Sequence, residues 1–118
     1  MAPKPKRYKL RYLPLFWEDL SQAASYIAFD LKNPAAAERL VDSVEVGILD
    51  HLKNPTMAPV YHTTRNRPLP YYWFAVGNYR VFYVVIEDTV EVRRFLYRAR
   101  DIESLGLLIT IRTVPPTS

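Results

Sequence analysis

A stretch rich in β-branched and aromatic residues runs from Tyr71 to Arg100 and is broken twice by polar residues. Val, Tyr, Phe and Ile dominate it, and these residue types suit a pleated, half-buried surface. Gly77-Asn78 separates the first two runs and predicts a two-residue hairpin turn. Glu87 to Thr89 is the second break and predicts a three-residue loop. The pattern therefore predicts a meander of three antiparallel strands.

The two turns determine which side chains share a face of this sheet, because side chains alternate along a strand. With these loops, Ala75 pairs with Arg80 and Ile86 pairs with Val90. The first face then carries Tyr71, Trp73, Ala75, Arg80, Phe82, Val84, Ile86, Val90, Val92, Arg94, Leu96 and Arg98. The second face carries Tyr72, Phe74, Val76, Tyr79, Val81, Tyr83, Val85, Glu91, Arg93, Phe95, Tyr97 and Ala99.

Charge decides which face we expect to meet the helices, since an unpaired buried charge costs free energy. The second face would bury Glu91 and Arg93, which have opposite signs. The first face would bury three arginines together. We therefore expect the second face to pack on the helices and the first face to stay open.

The residues before the meander predict a strand and two helices. Tyr8 to Leu13 reads as a short strand that Pro14 ends. Apolar residues recur at helical spacing from Leu15 to Leu31. Asn33 and Pro34 suit the start of a second helix that runs to about Lys53. So short a connection predicts an antiparallel helical hairpin.

These elements predict an α+β fold: an N-terminal strand, an antiparallel two-helix hairpin on one face of a mainly antiparallel β-sheet, and a short C-terminal helix. Thr56 to Pro70 reads as a loop, and the last helix begins near Asp101. We expect residues 1–118 to form a single domain with an ordered core at about residues 8–108. Prolines indicate loose ends at residues 1–7 and 113–118.

Composition narrows the classes of function. The chain has no cysteine, which excludes disulfides, thiol catalysis and thiolate metal sites and fits a cytoplasmic protein. The net charge of +4 makes nucleic acid or an acidic protein a plausible partner, although solubility alone would explain mild basicity. Gly77, Asn78 and Arg80 interrupt the longest apolar stretch, so no membrane contact is expected.

The strongest candidate for chemistry combines arginines with aromatic residues on the first face. Guanidinium groups bind phosphate in a fork geometry, and aromatic rings stack on bases. A sheet bearing both could hold single-stranded RNA. Alternatively, exposed arginines lie over the rings and merely cover the sheet. The candidate residues are Tyr71, Trp73, Arg80, Arg94, Arg98 and Arg100.

The loop before the meander adds further basic residues. Arg65 and Arg67 could reach a phosphate backbone or be solvated, and His62 could act as an acid or base or be simply exposed. Residues with metal-ligand spacing, a glycine-rich phosphate loop and a serine nucleophile with a partner are not found in the sequence. We expect no metal and no cofactor.

The phrases VGNYRVFYVVIED and VEVRRFLYRARDIESL, together with the order of elements, resemble the RelE/ParE superfamily of bacterial type II toxins. The likeness covers about residues 8–108. It implies a toxin that a cognate antitoxin neutralises, with operator DNA bound only through the antitoxin complex. RelE-like members cut mRNA on the ribosome without a metal, by attack of the ribose 2′-hydroxyl on the adjacent phosphate. ParE-like members poison DNA gyrase instead.

The resemblance also implies roles for single residues. Arg80 matches the arginine that RelE-like toxins place on the scissile phosphate. Arg98 stands where some relatives carry a catalytic histidine, and Arg100 matches a basic residue near the strand end. RelE has lysines where this chain has Tyr71 and Trp73. No general base is identified, because an arginine stays protonated.

The leading hypothesis is therefore an mRNA-cleaving toxin in which Arg80, Arg98 and Arg100 act on the phosphate. In this hypothesis Tyr71 and Trp73 stack on bases, and the remaining loop and strand arginines contact RNA. The alternatives are a gyrase poison without catalytic activity and a partner that only binds its antitoxin and operator DNA.

Overall fold

The computed structural model describes residues 7–61 and 69–98. Its four strands form one sheet in the order β1-β4-β3-β2. The meander is antiparallel, and β1 joins it in parallel beside β4. The strands are β1 (Lys9–Tyr12), β2 (Tyr72–Val76), β3 (Tyr79–Ile86) and β4 (Thr89–Tyr97). The predicted α+β fold is confirmed, while the predicted helix near Asp101 lies outside the described residues.

The two predicted helices form the hairpin. Helix α1 spans Pro14–Ser25, and α2 spans Pro34–His51. Pro14 therefore opens the helix as well as ending the strand, as suits a residue without a backbone N–H. Asn33 caps α2 as predicted, since its side chain accepts a hydrogen bond from the Ala36 N–H at 3.1 Å.

The turn of the hairpin is wider than an α-helix. Residues Tyr26–Asp30 form a π-helical turn, in which the Leu31 N–H donates to the Tyr26 carbonyl at 3.0 Å. Lys32 then adopts a φ of 53°, in the left-handed region that reverses the chain before α2. The predicted first helix thus reaches nearly to Leu31 but changes geometry over its last residues.

The main core lies between the hairpin and the sheet. The glycine in α2 makes this contact close: a Cβ on Gly47 would lie 2.6 Å from the Phe74 ring. The His51 ring stacks on the same Phe74 ring, with centroids 4.0 Å apart. The buried residues of this core are Phe16, Leu20, Val44, Ile48, Phe74, Val76, Val81, Tyr83, Val90, Val92 and Phe95.

The register of the first hairpin agrees with the prediction, whereas that of the second differs in part. Ala75 pairs with Arg80, and Gly77 takes a φ of 57° in the turn. Ile86 pairs with Thr89 rather than Val90, so the loop has two residues instead of three. Glu87 makes the shorter loop possible by adopting a positive φ of 57°.

A β-bulge in β4 limits the error to half of the second hairpin. The pairing shifts between Phe82 and Tyr83, and the pair Phe82–Arg94 is the one predicted. From Val90 to Val92, each β4 residue is shifted by one position from the predicted pairing, so its side chain lies on the opposite face of the sheet. Val90 and Val92 therefore join the helix-side core, which corrects their placement on the open face.

Candidate functional site

The chain that precedes β2 pairs with the edge of β2 and packs Tyr61 and Leu69 on the sheet face opposite the helices. The Tyr61 N–H donates to the Tyr71 carbonyl at 2.7 Å, and the Trp73 N–H donates to the Pro59 carbonyl at 3.0 Å. The expectation of a fully open face is therefore wrong, because its apolar centre gains from being covered. The buried residues on this face are Tyr71, Phe82, Val84 and Leu96, with Tyr61, Leu69, Trp73 and Ile86 packed against them.

Glu91 lies at the centre of an ion-pair network on this face. Arg11 Nε lies 3.0 Å from one carboxylate oxygen, and Arg93 Nη2 and Nε lie 2.8 and 2.9 Å from the other. Arg93 also donates from Nη1 to the Tyr71 hydroxyl at 3.1 Å. The predicted placement of Glu91 and Arg93 against the helices is wrong, because the shortened loop exchanges the faces. The network ties β1, β4 and the segment before β2 together.

Arg94 is bound to the hairpin rather than presented on an open face. Its Nε and Nη2 donate to the two carboxylate oxygens of Asp19 in α1, at 2.7 and 3.0 Å. The Phe95 N–H donates to the same carboxylate at 3.0 Å. The Arg94 side chain is only 9% exposed. The predicted open position of Arg94 is therefore wrong, because β1 ends before this part of β4 and leaves its edge to α1.

Tyr71 is also committed to packing in the structure. It is 5% exposed, and the Arg93 guanidinium carbon lies 5.6 Å from its ring centroid. The predicted open position of Tyr71 is wrong, because it packs in the apolar cluster of this face with Phe82 and Val84. A base could stack on this ring only if this packing changed. The predicted RNA contacts of Tyr71 and Arg94 would both require such changes.

Arg80, Trp73 and Arg98 remain accessible near the other end of the face. The Arg80 guanidinium carbon lies 4.2 Å from the Trp73 ring centroid, a cation–π contact. Arg98 follows β4, is exposed, and donates its N–H to the Asn78 carbonyl at 2.8 Å. This group provides fixed positive charge beside an aromatic surface. It can bind an anion, but its arginines do not exchange protons at neutral pH.

Three tyrosines packed on the helix side have raised pKa values. Burial raises the pKa of the Tyr83 hydroxyl well above its ordinary value of 10.0, and the nearby Tyr72 adds to the effect. That hydroxyl donates to the Pro55 carbonyl at 2.5 Å. Burial likewise raises the pKa values of Tyr12 and Tyr79. These hydroxyls therefore stay protonated, and that of Tyr83 joins β3 to the segment after α2.

Several predicted residues lie outside the described ranges: Arg65, Arg67 and Arg100, as well as His62. Within residues 7–61 and 69–98, no group of His, Cys, Asp or Glu side chains is arranged to hold a metal ion. The described helices also include none long and apolar enough to cross a membrane.

Two acidic residues organise the arginines, and sequence reasoning did not identify their partners Arg94 and Arg11. Asp19 lies beside Leu20 at the border of the apolar stripe of α1, which is a weak signal that it faces another element. Glu91 was noticed as an opposite charge near Arg93, but its second partner Arg11 comes from a strand 80 residues away. Only the parallel pairing of β1 with β4 brings Arg11 and Glu91 together.

A helical hairpin on a four-stranded sheet, with basic residues on the opposite face, is the architecture expected for a RelE/ParE superfamily toxin. The family described as "ParE toxin of type II toxin-antitoxin system, parDE" matches residues 10–102. The chain belongs to this family of toxins, which confirms the resemblance seen in the sequence.

The chain is also similar to chains of two solved structures. A chain of the chromosomal ParDE TA system from P. aeruginosa is similar with a TM-score of 0.63 and 10% identity, covering 76% of this chain and 95% of that one. A chain of the archaeal RelE-RelB complex from Pyrococcus horikoshii OT3 has a TM-score of 0.46 and 16% identity, covering 80% and 98%. No curated protein matches by sequence.

Proposed function

We propose that this toxin inhibits growth by binding DNA gyrase, without catalytic activity of its own, and that an antitoxin neutralises it. The family match over residues 10–102 supports the ParE-like mode of action. Binding requires a stable surface, whereas RNA cleavage requires free cations and a group that takes up a proton.

The observation that carries this proposal is the engagement of Arg94. Asp19 holds its guanidinium through two hydrogen bonds, and the side chain is almost fully buried. Tyr71 is similarly occupied by Arg93. Two of the side chains expected to contact RNA thus serve the fold, which favours a toxin that acts by docking.

Ribosome-dependent mRNA cleavage is the second candidate, and one observation favours it. Arg80 lies over Trp73 on the sheet face opposite the helices, with a distance of 4.2 Å to the ring centroid. A guanidinium held in this way could contact a phosphate while the indole contacts a base. The catalytic roles of Arg80, Arg98 and Arg100 remain predictions.

Pulse labelling after induction of the chain in bacteria tests the two candidates. We expect thymidine incorporation to fall first, with induction of the SOS response. An early loss of methionine incorporation, with new mRNA ends inside reading frames, would support cleavage and contradict gyrase poisoning. Arg80→Ala provides the matched variant, because gyrase poisoning should survive it and cleavage should not.

The antitoxin is expected on the sheet face opposite the helices. Arg98 after β4 is exposed there, and Arg80 lies over Trp73 on the same face. Acidic side chains would complement this charge, and apolar ones would pack beside Trp73. Co-purification with the protein encoded beside this chain should weaken in Arg80→Glu and at high salt. Retention insensitive to both would contradict this location.

A further inference from the structure

The tip of the helical hairpin exposes large apolar side chains. Phe29 is 76% exposed, although it is an aromatic residue in a helical segment. Tyr26 and Leu31, which flank it, are 51% and 55% exposed. The π-helical turn places these residues within one short stretch at the end of the hairpin. Exposed apolar residues grouped in this way are typical of a surface that another protein covers.

A shallow groove between the two helices adjoins this tip. Half of its lining consists of the small residues alanine and serine, which leave space for a side chain of a partner. Phe29 belongs to this lining, and Val41 also lines the neighbouring pocket with Trp17 and Tyr12. The groove is lined by Ala24, Ser25, Ala28, Phe29, Ala37, Glu38, Val41 and Asp42.

The charge of the groove is opposite to that of the chain. The charged residues among its lining are Glu38 and Asp42, both exposed on α2 and four residues apart. Neither makes an ion pair within the described part of the chain. Lys32 and Arg39 are nearby in sequence but do not line the groove. An acidic groove on a protein of net charge +4 favours a basic partner segment.

We propose that the hairpin tip and groove bind the target protein of this toxin, through a segment that carries an apolar side chain next to lysine or arginine. The apolar side chain packs on Phe29 and the small lining residues, and the cation pairs with Glu38 and Asp42. This inference rests on the proposed function, a toxin that acts by docking on a protein. It separates the target surface from the basic sheet face assigned to the antitoxin.

Two variants remove the two parts of this contact. Phe29→Ser removes the aromatic ring, and the double variant Glu38→Lys/Asp42→Lys reverses the charge of the groove. Each should weaken binding to purified gyrase about thirtyfold, the effect of losing a central interface residue. The neutral variant Glu38→Gln/Asp42→Asn should bind more weakly than the wild type and lose the salt dependence of binding.

Matched controls lie on α2, away from the groove. Val46→Ser removes an exposed apolar side chain, and Asp50→Lys reverses an exposed carboxylate; neither residue lines the groove. Both controls should keep gyrase affinity and growth arrest within about twofold of the wild type, as for surface positions outside an interface. Circular dichroism and thermal unfolding confirm folding, and co-purification with the antitoxin shows whether the sheet face is intact.

The outcomes distinguish failure of this inference from failure of the proposed function. Loss of gyrase binding and growth arrest in the groove variants, with antitoxin binding retained, is the expected result. If both groove variants bind gyrase as tightly as the wild type, the inference is overturned and the proposed function stands. If the wild type arrests growth without binding gyrase, the proposed function is overturned. If, in that case, Phe29→Ser also arrests growth as the wild type does, the inference is overturned too. A chain that arrests no growth in any form would overturn both.

Discussion

The two faces of the sheet are buried in different ways. The helix-facing side is covered by the apolar stripes of α1 and α2, and its polar atoms are mainly tyrosine hydroxyls. The opposite side has an apolar centre on which Tyr61 and Leu69 pack, and some of its charged residues are paired with one another. Glu91 there is held by Arg11 and Arg93.

The difference shows how a basic chain can use arginines within its fold. On the helix side, burial of apolar area supplies the stability and tolerates few changes of shape. On the opposite side and at the β4 edge, each buried guanidinium depends on a specific carboxylate. Arginines near the sheet are therefore not equivalent, and only those without a carboxylate partner are candidates for binding an external anion.

The largest effect is expected at the β4 edge, where the hairpin and the sheet share a charge pair. Asp19→Ala leaves the Arg94 guanidinium buried without its carboxylate, which should lower the free energy of unfolding by about 3–5 kcal/mol. Urea denaturation measures this. The control Asp50→Ala breaks an exposed pair with Lys53 and should change stability by about 0.5 kcal/mol or less. Equal effects in the two variants would show that Arg94 is not a structural residue.

The close packing of the helix side is tested by Gly47→Ala. Alanine improves helix propensity by about 1 kcal/mol, but its Cβ would lie too close to the Phe74 ring. The ring is buried and stacked on His51, so it cannot move away freely. We expect a net loss of about 1–2 kcal/mol in unfolding free energy. The double variant Gly47→Ala/Phe74→Leu should recover part of it, and a stabilising single substitution would disprove the steric reading.

Alkaline pH should affect the helix side through its tyrosines. Burial raises the pKa values of Tyr83, Tyr79 and Tyr12 in the folded chain above the unfolded value of 10.0. The unfolded chain then releases protons first, so stability is fully present below about pH 10 and falls as pH rises further. The decline in stability is measured by thermal unfolding between roughly pH 8 and pH 11, a range that spans the tyrosine pKa in the unfolded chain. Stability that stays flat across this range would contradict buried, protonated hydroxyls.

The smallest stability effect is expected for Arg80, the accessible arginine on the opposite face. Arg80→Ala removes a cation–π contact with Trp73, which contributes about 0.5–1 kcal/mol at an exposed site. Thermal unfolding should therefore change little. If Arg80→Ala lowers stability as much as Asp19→Ala does, Arg80 is also a structural residue. The distinction between accessible and paired arginines would then be wrong.

Prediction of the fold succeeded where local signals were strong. The Gly77-Asn78 turn, the Asn33 cap and the helical spacing each depend on residues close together in the chain. Prediction of the second hairpin failed at the loop, since Glu87 adopts a positive φ that is uncommon for a residue with a side chain. The bulge at Arg93 then restored the predicted pairing farther along, which no local pattern indicated.

The predicted site was less complete for a related reason. Spacing placed Arg80 and Trp73 on one face, and this holds because their half of the meander keeps the predicted register. The burial of Arg94 and Tyr71 depends on partners that are distant in sequence: Asp19 lies 75 residues from Arg94, and Arg93 lies 22 residues from Tyr71.

The sequence alone was sufficient to predict the strands and helices that the structure describes, because turns, caps and periodicity act over a few neighbouring residues. It was also sufficient to predict the toxin superfamily. The tertiary structure decided which arginines are free. A guanidinium is exposed or buried according to the carboxylate that folding brings to it, and Asp19 and Glu91 reach their arginines only when α1 meets the β4 edge and β1 pairs with β4. The same packing left Phe29 uncovered at the hairpin tip, where a contact with another protein can form.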